Sequence, residues 1–206
     1  PCRAYSLYDL VDPRYLNKLS EFNVLAETNT APSEYGYTIG EGPSAENEPL
    51  GVLFAPDGAR IKVALGAGLL GFRYLLLNSA ASDDPEQALG QGYKITPGNS
   101  FGHTTYLAAR DMWTLNEARM LELSRYGIEN RRLNTLHTRT REQLDAAEEA
   151  INERRWSESV RRARAAIGLE SRAYPDVKAT QNDVIQGIVF FLALLIPCAF
   201  FAERLL

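Results

Sequence analysis

Residues 184–202 read VIQGIVFFLALLIPCAFFA, 19 positions without a charge between Asp183 and Glu203. At 1.5 Å per residue a helix of that length covers roughly 28 Å, close to the roughly 30 Å of a bilayer's hydrocarbon core. Gln186 is the strongly polar member, placed near one end where its amide reaches an interface. Pro197 is tolerated in a membrane helix, where neighbouring groups satisfy the freed backbone. A buried globular helix would show a polar face, and residues 188–196 show none. The segment therefore reads as a membrane span, and the rest of the chain is judged as what it anchors.

Upstream of it the pattern is helical back to Thr104. The spacing predicts a helix over 104–126, with Ala109, Met112, Trp113, Met120 and Leu123 on one face. Gly127 followed by Ile128 fits a Schellman stop, in which a left-handed glycine precedes an apolar residue. A second helix is predicted over 129–154, with Leu133, Leu136, His137, Leu144, Ala147 and Ile151 on its stripe. A third is predicted over 156–174, with Trp156, Val160, Ala163 and Ile167 inward and Pro175 ending it. So short a link between the second and third helices makes them antiparallel neighbours, an αα-hairpin. Ala146, Ala147, Ala150, Ala163, Ala165 and Ala166 let the two approach closely. The texture is that of one tetratricopeptide unit, but no second copy follows at the repeat period.

The first hundred residues read differently. Residues 50–55 and 60–65 are apolar runs around Pro56-Asp57-Gly58, a hairpin signal. Ile61, Val63 and Leu65 alternate with Arg60, Lys62 and Ala64, and residues 72–77 make a third strand. Residues 13–19 suggest a short helix with Pro13 in its first turn. Residues 29–49 and 78–103 are rich in turn formers and read as surface loops. The expected fold is α+β. A small β-rich module (1–103) is followed by a helical stalk (104–175) and one C-terminal transmembrane helix (183–206).

Composition narrows function by exclusion. The 206 residues carry 22 basic and 26 acidic side chains, a net charge of −4, which argues against a nucleic-acid partner. Cys2 and Cys198 exclude a disulfide framework. Residues 66–71 match G-x-G-x-x-G, but a strand follows where a dinucleotide site needs a helix. No G-x-S-x-G elbow is present. His103 reads as a contact at a helix start and His137 as a hydrogen-bonded core residue. The arginines at 154, 155, 161, 162 and 164 read as surface partners of Glu148, Glu149, Glu153, Glu158 and Glu170. Tyr5, Tyr8 and Tyr15 read as core. No catalytic, cofactor-binding or metal-ligating residue is assigned, and no enzyme activity is expected.

Several strings carry a resemblance. Arg172-Ala173-Tyr174-Pro175-Asp176-Val177-Lys178, Asn182-Asp183-Val184, Gly187, and the run from Phe190 through Phe201 to Glu203-Arg204-Leu205-Leu206 are similar to a segment of large bacterial FtsX-like ABC-transporter permeases of planctomycete type. Residues 109–113, 115–117 and 126–128 fit it too, so the resemblance covers about residues 104–206. It implies an extracytoplasmic domain leading into the first of several membrane helices, with a separate cytoplasmic ATPase subunit. The lipid bilayer and an extracytoplasmic protein are then the expected partners. The chain would be a piece of a longer reading frame, its helical hairpin a rigid stalk or docking surface. Two other readings stand beside this one: a single-pass adaptor whose hairpin holds a peptide, and an anchored hydrolase with its active site upstream. Arg162, Arg164, Arg172 and Lys178 precede the apolar run and Arg204 follows it. By the positive-inside rule alone, that places the large domain in the cytoplasm; the resemblance places it outside.

Overall fold

The computed structural model describes residues 2–12, 18–19, 21–41, 49–67, 72–96 and 101–205. The chain is α+β, as the hydrophobic pattern indicates: antiparallel sheets come first, then helices, the last of them long and apolar.

The elements are β1 (Cys2–Leu7), β2 (Glu21–Ala26), β3 (Gly36–Glu41), β4 (Pro49–Pro56), β5 (Arg60–Ala67), β6 (Phe72–Leu76), α1 (Pro85–Ala88), β7 (Tyr93–Lys94), α2 (Thr104–Arg125), α3 (Arg131–Asn152) and α4 (Trp156–Leu205). Two antiparallel sheets form, ordered β1-β4-β3 and β2-β5-β6, with β7 on the far end of β5. Leu53 of the central β4 lies opposite Tyr5 and Tyr37 in the first sheet; Val63 of the central β5 lies opposite Val24 and Leu76 in the second. Leu7, Leu53, Ile61, Leu65 and Leu76 are fully buried with Met112 and Leu115 of α2, so one core joins both sheets to the first long helix.

Pro56-Asp57-Gly58 is not the hairpin expected. It is a corner, because β4 and β5 belong to different sheets. Gly58 supplies the left-handed residue, at φ 81°. The Gly58 N–H then donates to the Ile95 carbonyl (2.8 Å), and the Ile95 N–H donates to Ala59 (2.8 Å). The segment around Ile95 captures the chain as it leaves the turn, so β5 cannot fold back onto β4. The expected loops also hold structure: β3 lies within 29–49, and α1 and β7 within 78–103. β1 and β2 occupy a region that shows no strand pattern in the sequence. The helix expected over 13–19 falls mostly outside the described residues; Lys18 forms an isolated antiparallel bridge with Val11.

Asp111 fixes the sheets to α2. Its fully buried carboxylate accepts from the Leu77 N–H (2.8 Å), the Asn78 N–H (2.7 Å) and the Tyr93 hydroxyl (2.7 Å). Burial raises its pKa even so, with those bonds and Arg110 opposing.

The three long helices follow the sequence reading closely at first. α2 ends in a Schellman motif: Ile128 N–H donates to Leu123 (3.0 Å), Gly127 N–H donates to Ser124 (2.9 Å), and Gly127 has φ 74°. Asn130 caps α3, its Oδ1 accepting from the N–H groups of Arg132 (3.0 Å) and Leu133 (3.3 Å). The turn into α4 is tight, with Arg154 left-handed (φ 59°) and the Arg155 N–H donating to Ala150 (2.8 Å). α3 and α4 then run antiparallel. Arg162 reaches Gln143 (3.1 Å), and Val177 packs with Leu133 at the other end. Ala147, Ala150, Ala163 and Ala166 are buried, as close helix approach requires.

Two expectations for the third helix fail. Pro175 does not end it: α4 continues for 50 residues through Pro175 and Pro197, about 75 Å at the usual rise. A proline removes one backbone bond, and here Ala173 and Val177 on either side of it are fully buried against Leu123 and Leu133. That packing holds the helix across the defect. Nor does Trp156 face inward. It is 53% exposed and Val160 39%, so the inner stripe begins at Ala163.

Candidate functional site

A cleft lies where the end of β1 meets the start of α2 and the first turns of α4. It encloses about 170 Å³ and is lined by Tyr8, Asp9, His103, Thr105, Ser159 and Arg164, among others. Asp9 sits in the left-handed region (φ 57°), which turns the chain after β1 and aims its carboxylate at α2. The Thr105 hydroxyl donates to Asp9 Oδ2 (2.8 Å), and Arg164 Nε donates to both carboxylate oxygens (3.1 Å each). Arg164 Nη2 adds a further bond to Oδ1. Beside them the Tyr8 N–H donates to Thr104 Oγ1 (3.1 Å), which itself donates to the Phe101 carbonyl (2.8 Å). Behind this pair the fully buried Tyr74 phenol is pushed well above its usual range by desolvation.

The chemistry of this cleft is that of a latch. Its carboxylate is held by a guanidinium fork and a hydroxyl, so it is a charge-assisted tie rather than a free base. The Ser159 hydroxyl donates to its own helix, at Trp156 (2.8 Å). His103 is exposed at the start of α2, as expected, and stacks on Trp156 with ring centroids 5.6 Å apart. Nothing local in the sequence marks the Asp9–Arg164 pair, since 155 positions separate the partners.

A second polar cluster lies within the three-helix bundle. His137 is buried, as expected. Its ring stacks on Trp113 (4.6 Å, 8° between planes) and its Nε2 bonds Glu117. Trp113 Nε1 donates to the His137 carbonyl (3.1 Å), and Arg141 covers the other face of the indole (5.0 Å). Burial lowers the His137 pKa, against the pull of Glu117. One turn along, Glu170 contradicts its expected place on the surface. It is fully buried, accepts from the Asn116 amide, and its Oε2 has no hydrogen-bond partner among the described residues. Desolvation raises its pKa to about 7, with Asn116 and Thr140 opposing. The sequence held a signal for this: Ala163, Ile167, Glu170, Ala173 and Val177 follow one helical stripe.

Of the three tyrosines read as core, Tyr5 is buried, Tyr8 is half exposed, and Tyr15 lies outside the described residues. No cluster of three or more His, Cys, Asp or Glu side chains suited to a metal occurs among the described residues. Gly66 and Ala67 close β5, and 68–71 lie outside the described residues. The chain matches no family model, and no curated protein or solved structure matches it.

Among the described residues one helix, α4, is long and apolar enough to cross a membrane. Eleven large apolar side chains between 185 and 201 are 53–68% exposed, and the protein's own core covers none of them.

Proposed function

We propose that this chain is a membrane-anchored, non-enzymatic domain of a permease-like protein, acting as a stalk and docking element. α4 serves as core helix of the bundle and as membrane span in one unbroken rod. The observation that carries this reading is the bare apolar surface over 185–201. Patches of that size do not stay in water on a soluble monomer, and a bilayer covers them without any further protein. The passage of α4 through Pro175 supports the stalk, since a displacement of the span moves the bundle with it. The latch between Asp9 and Arg164 ties the sheet module to the same rod. An extracytoplasmic position for the bulk of the chain, and pairing with a separate ATPase subunit, rest on the permease resemblance.

The test is carbonate extraction of membranes holding the full chain. The protein is expected to stay in the pellet, and release into the supernatant overturns the reading. Leu194→Arg is expected to cost about 2.5–3.5 kcal/mol of insertion. Sidedness is read at Cys2, which is exposed. A membrane-impermeant maleimide is expected to label it in intact spheroplasts, and labelling only after lysis places the domain in the cytoplasm instead.

A further inference from the structure

The burial of Glu170 leaves the outer face of α3 and α4 short of negative charge. An open groove runs between the two helices, with Ala165 and Gly168 along it and Arg139, Arg161, Arg162 and Arg172 at its sides. A Cβ added at Gly168 would meet nothing within 4 Å, so the groove is open there. Glu158 holds both Arg161 (2.6 Å) and Arg162 (2.7 Å), and Glu142 is the carboxylate that lines the groove. A fifth arginine of the groove, Arg164, is held by Asp9, and the other four against these two carboxylates leave two positive charges in excess. Arg139 and Arg172 are exposed and make no ion pair among the described residues. Of the acids nearby, Asp145 is engaged with Arg141 (2.9 Å) and Glu153 with Arg155 (2.6 Å), while Asp176 stands one turn beyond Arg172.

We propose that this groove docks an acidic segment of a partner protein, which names the partner class for the docking element proposed above. Spacing decides the class of ligand. Arg161 and Arg172 are eleven residues apart on one helix, roughly 16 Å, so a single phosphate cannot touch both. A helical segment with carboxylates at successive turns can. Lipid headgroups are out of reach, since Arg172 precedes Val184 by twelve residues, about 18 Å along the rod, and Arg161 lies farther still. The chain's own net negative charge of −4 disfavours a nucleic acid and leaves this groove as a local exception.

The experiment uses the full chain in uncharged detergent micelles, read by fluorescence anisotropy. The probe is a labelled helical peptide with Glu at every third or fourth position, compared with its Gln counterpart. The Glu peptide is expected to bind and to weaken as salt rises. Arg139→Glu with Arg172→Glu is expected to lower its affinity at least about tenfold. Both side chains are exposed, so an unchanged melting temperature shows the fold is kept. Glu142→Gln is expected to strengthen binding, a gain that misfolding cannot mimic. Equal binding of the Gln peptide overturns the proposal, as does indifference to the reversals. Full competition by inorganic phosphate or by phosphatidylglycerol vesicles also overturns it, as does a dimer that the reversals dissolve. The readout is made in micelles and does not depend on membrane insertion, so its failure is distinct from failure of the carbonate test.

Discussion

Asn116 on α2 donates its side-chain amide to the carboxylate of Glu170 on α4, and both residues are fully buried at the centre of the bundle. The protonated acid is the form this site favours, because Glu170 titrates near 7 in the fold against an ordinary 4.5. Below 4.5 the acid is neutral in both folded and unfolded chains and costs nothing. As pH rises from 4.5 to about 7 the unfolded chain ionises while the folded one stays protonated, so stability is lost across that window and the loss is complete above it. The full penalty is on the order of 3 kcal/mol. His137 acts in the opposite sense, since its lowered pKa makes acidification below 6.5 destabilising. Glu170→Gln isolates the first effect. Thermal unfolding of the full chain should show the variant more stable than wild type at pH 8 and nearly equal at pH 4.5. A difference that does not change with pH would show that Glu170 is ionised throughout.

Trp156 begins α4 at the hairpin turn, stacked on His103 and half exposed. About half of its area is already in water, so Trp156→Ala should cost about 1–2 kcal/mol, less than a fully buried truncation. Ile167, fully buried one turn into the inner stripe, should cost about 2–5 kcal/mol as Ile167→Ala. Urea unfolding of the two variants gives the comparison, and a reversed order would mean that the tryptophan packs inside.

Continuity across Pro175 is measurable as a length. Spin labels at Arg161 and Lys178, both exposed, lie seventeen residues apart on α4. One straight helix puts the backbone positions about 26 Å apart. A narrow distance distribution there, unchanged in Pro175→Ala, is expected. A shorter or broad one would restore the break that the proline suggests in isolation.

Local chemistry was legible and distant pairing was not. The Gly127 stop and the stripe of Leu133, Leu144 and Ala147 depend on residues within a few turns, and both read correctly from the sequence. β1 and β2 depend on partners distant in the chain: Leu7 lies opposite Gly51, and Glu21 opposite Gly66. Short strands of mixed polarity carry no periodic signal strong enough to show that. Asp57-Gly58 has the same turn chemistry in a hairpin as in a corner, and the distant partners of the chain beyond it, Ile95 and the strands paired with β5, decide between them. Glu170 was misplaced for another reason. Its identity suggested the surface while its phase on the helix pointed inward, and phase won because Asn116 was there to receive it. The Asp9–Arg164 latch had no local trace at all.

That latch also orders events at the ribosome. Asp9 is made before the elements β2 to α3, and its partner on α4 is made after them. The sheets, α2 and α3 must therefore wait on the nascent chain with one side of their core open. The turns of α4 that close it are followed directly by the apolar residues from Val184 onward. Maturation of the domain and delivery of its most water-averse segment thus fall within the same short interval of translation.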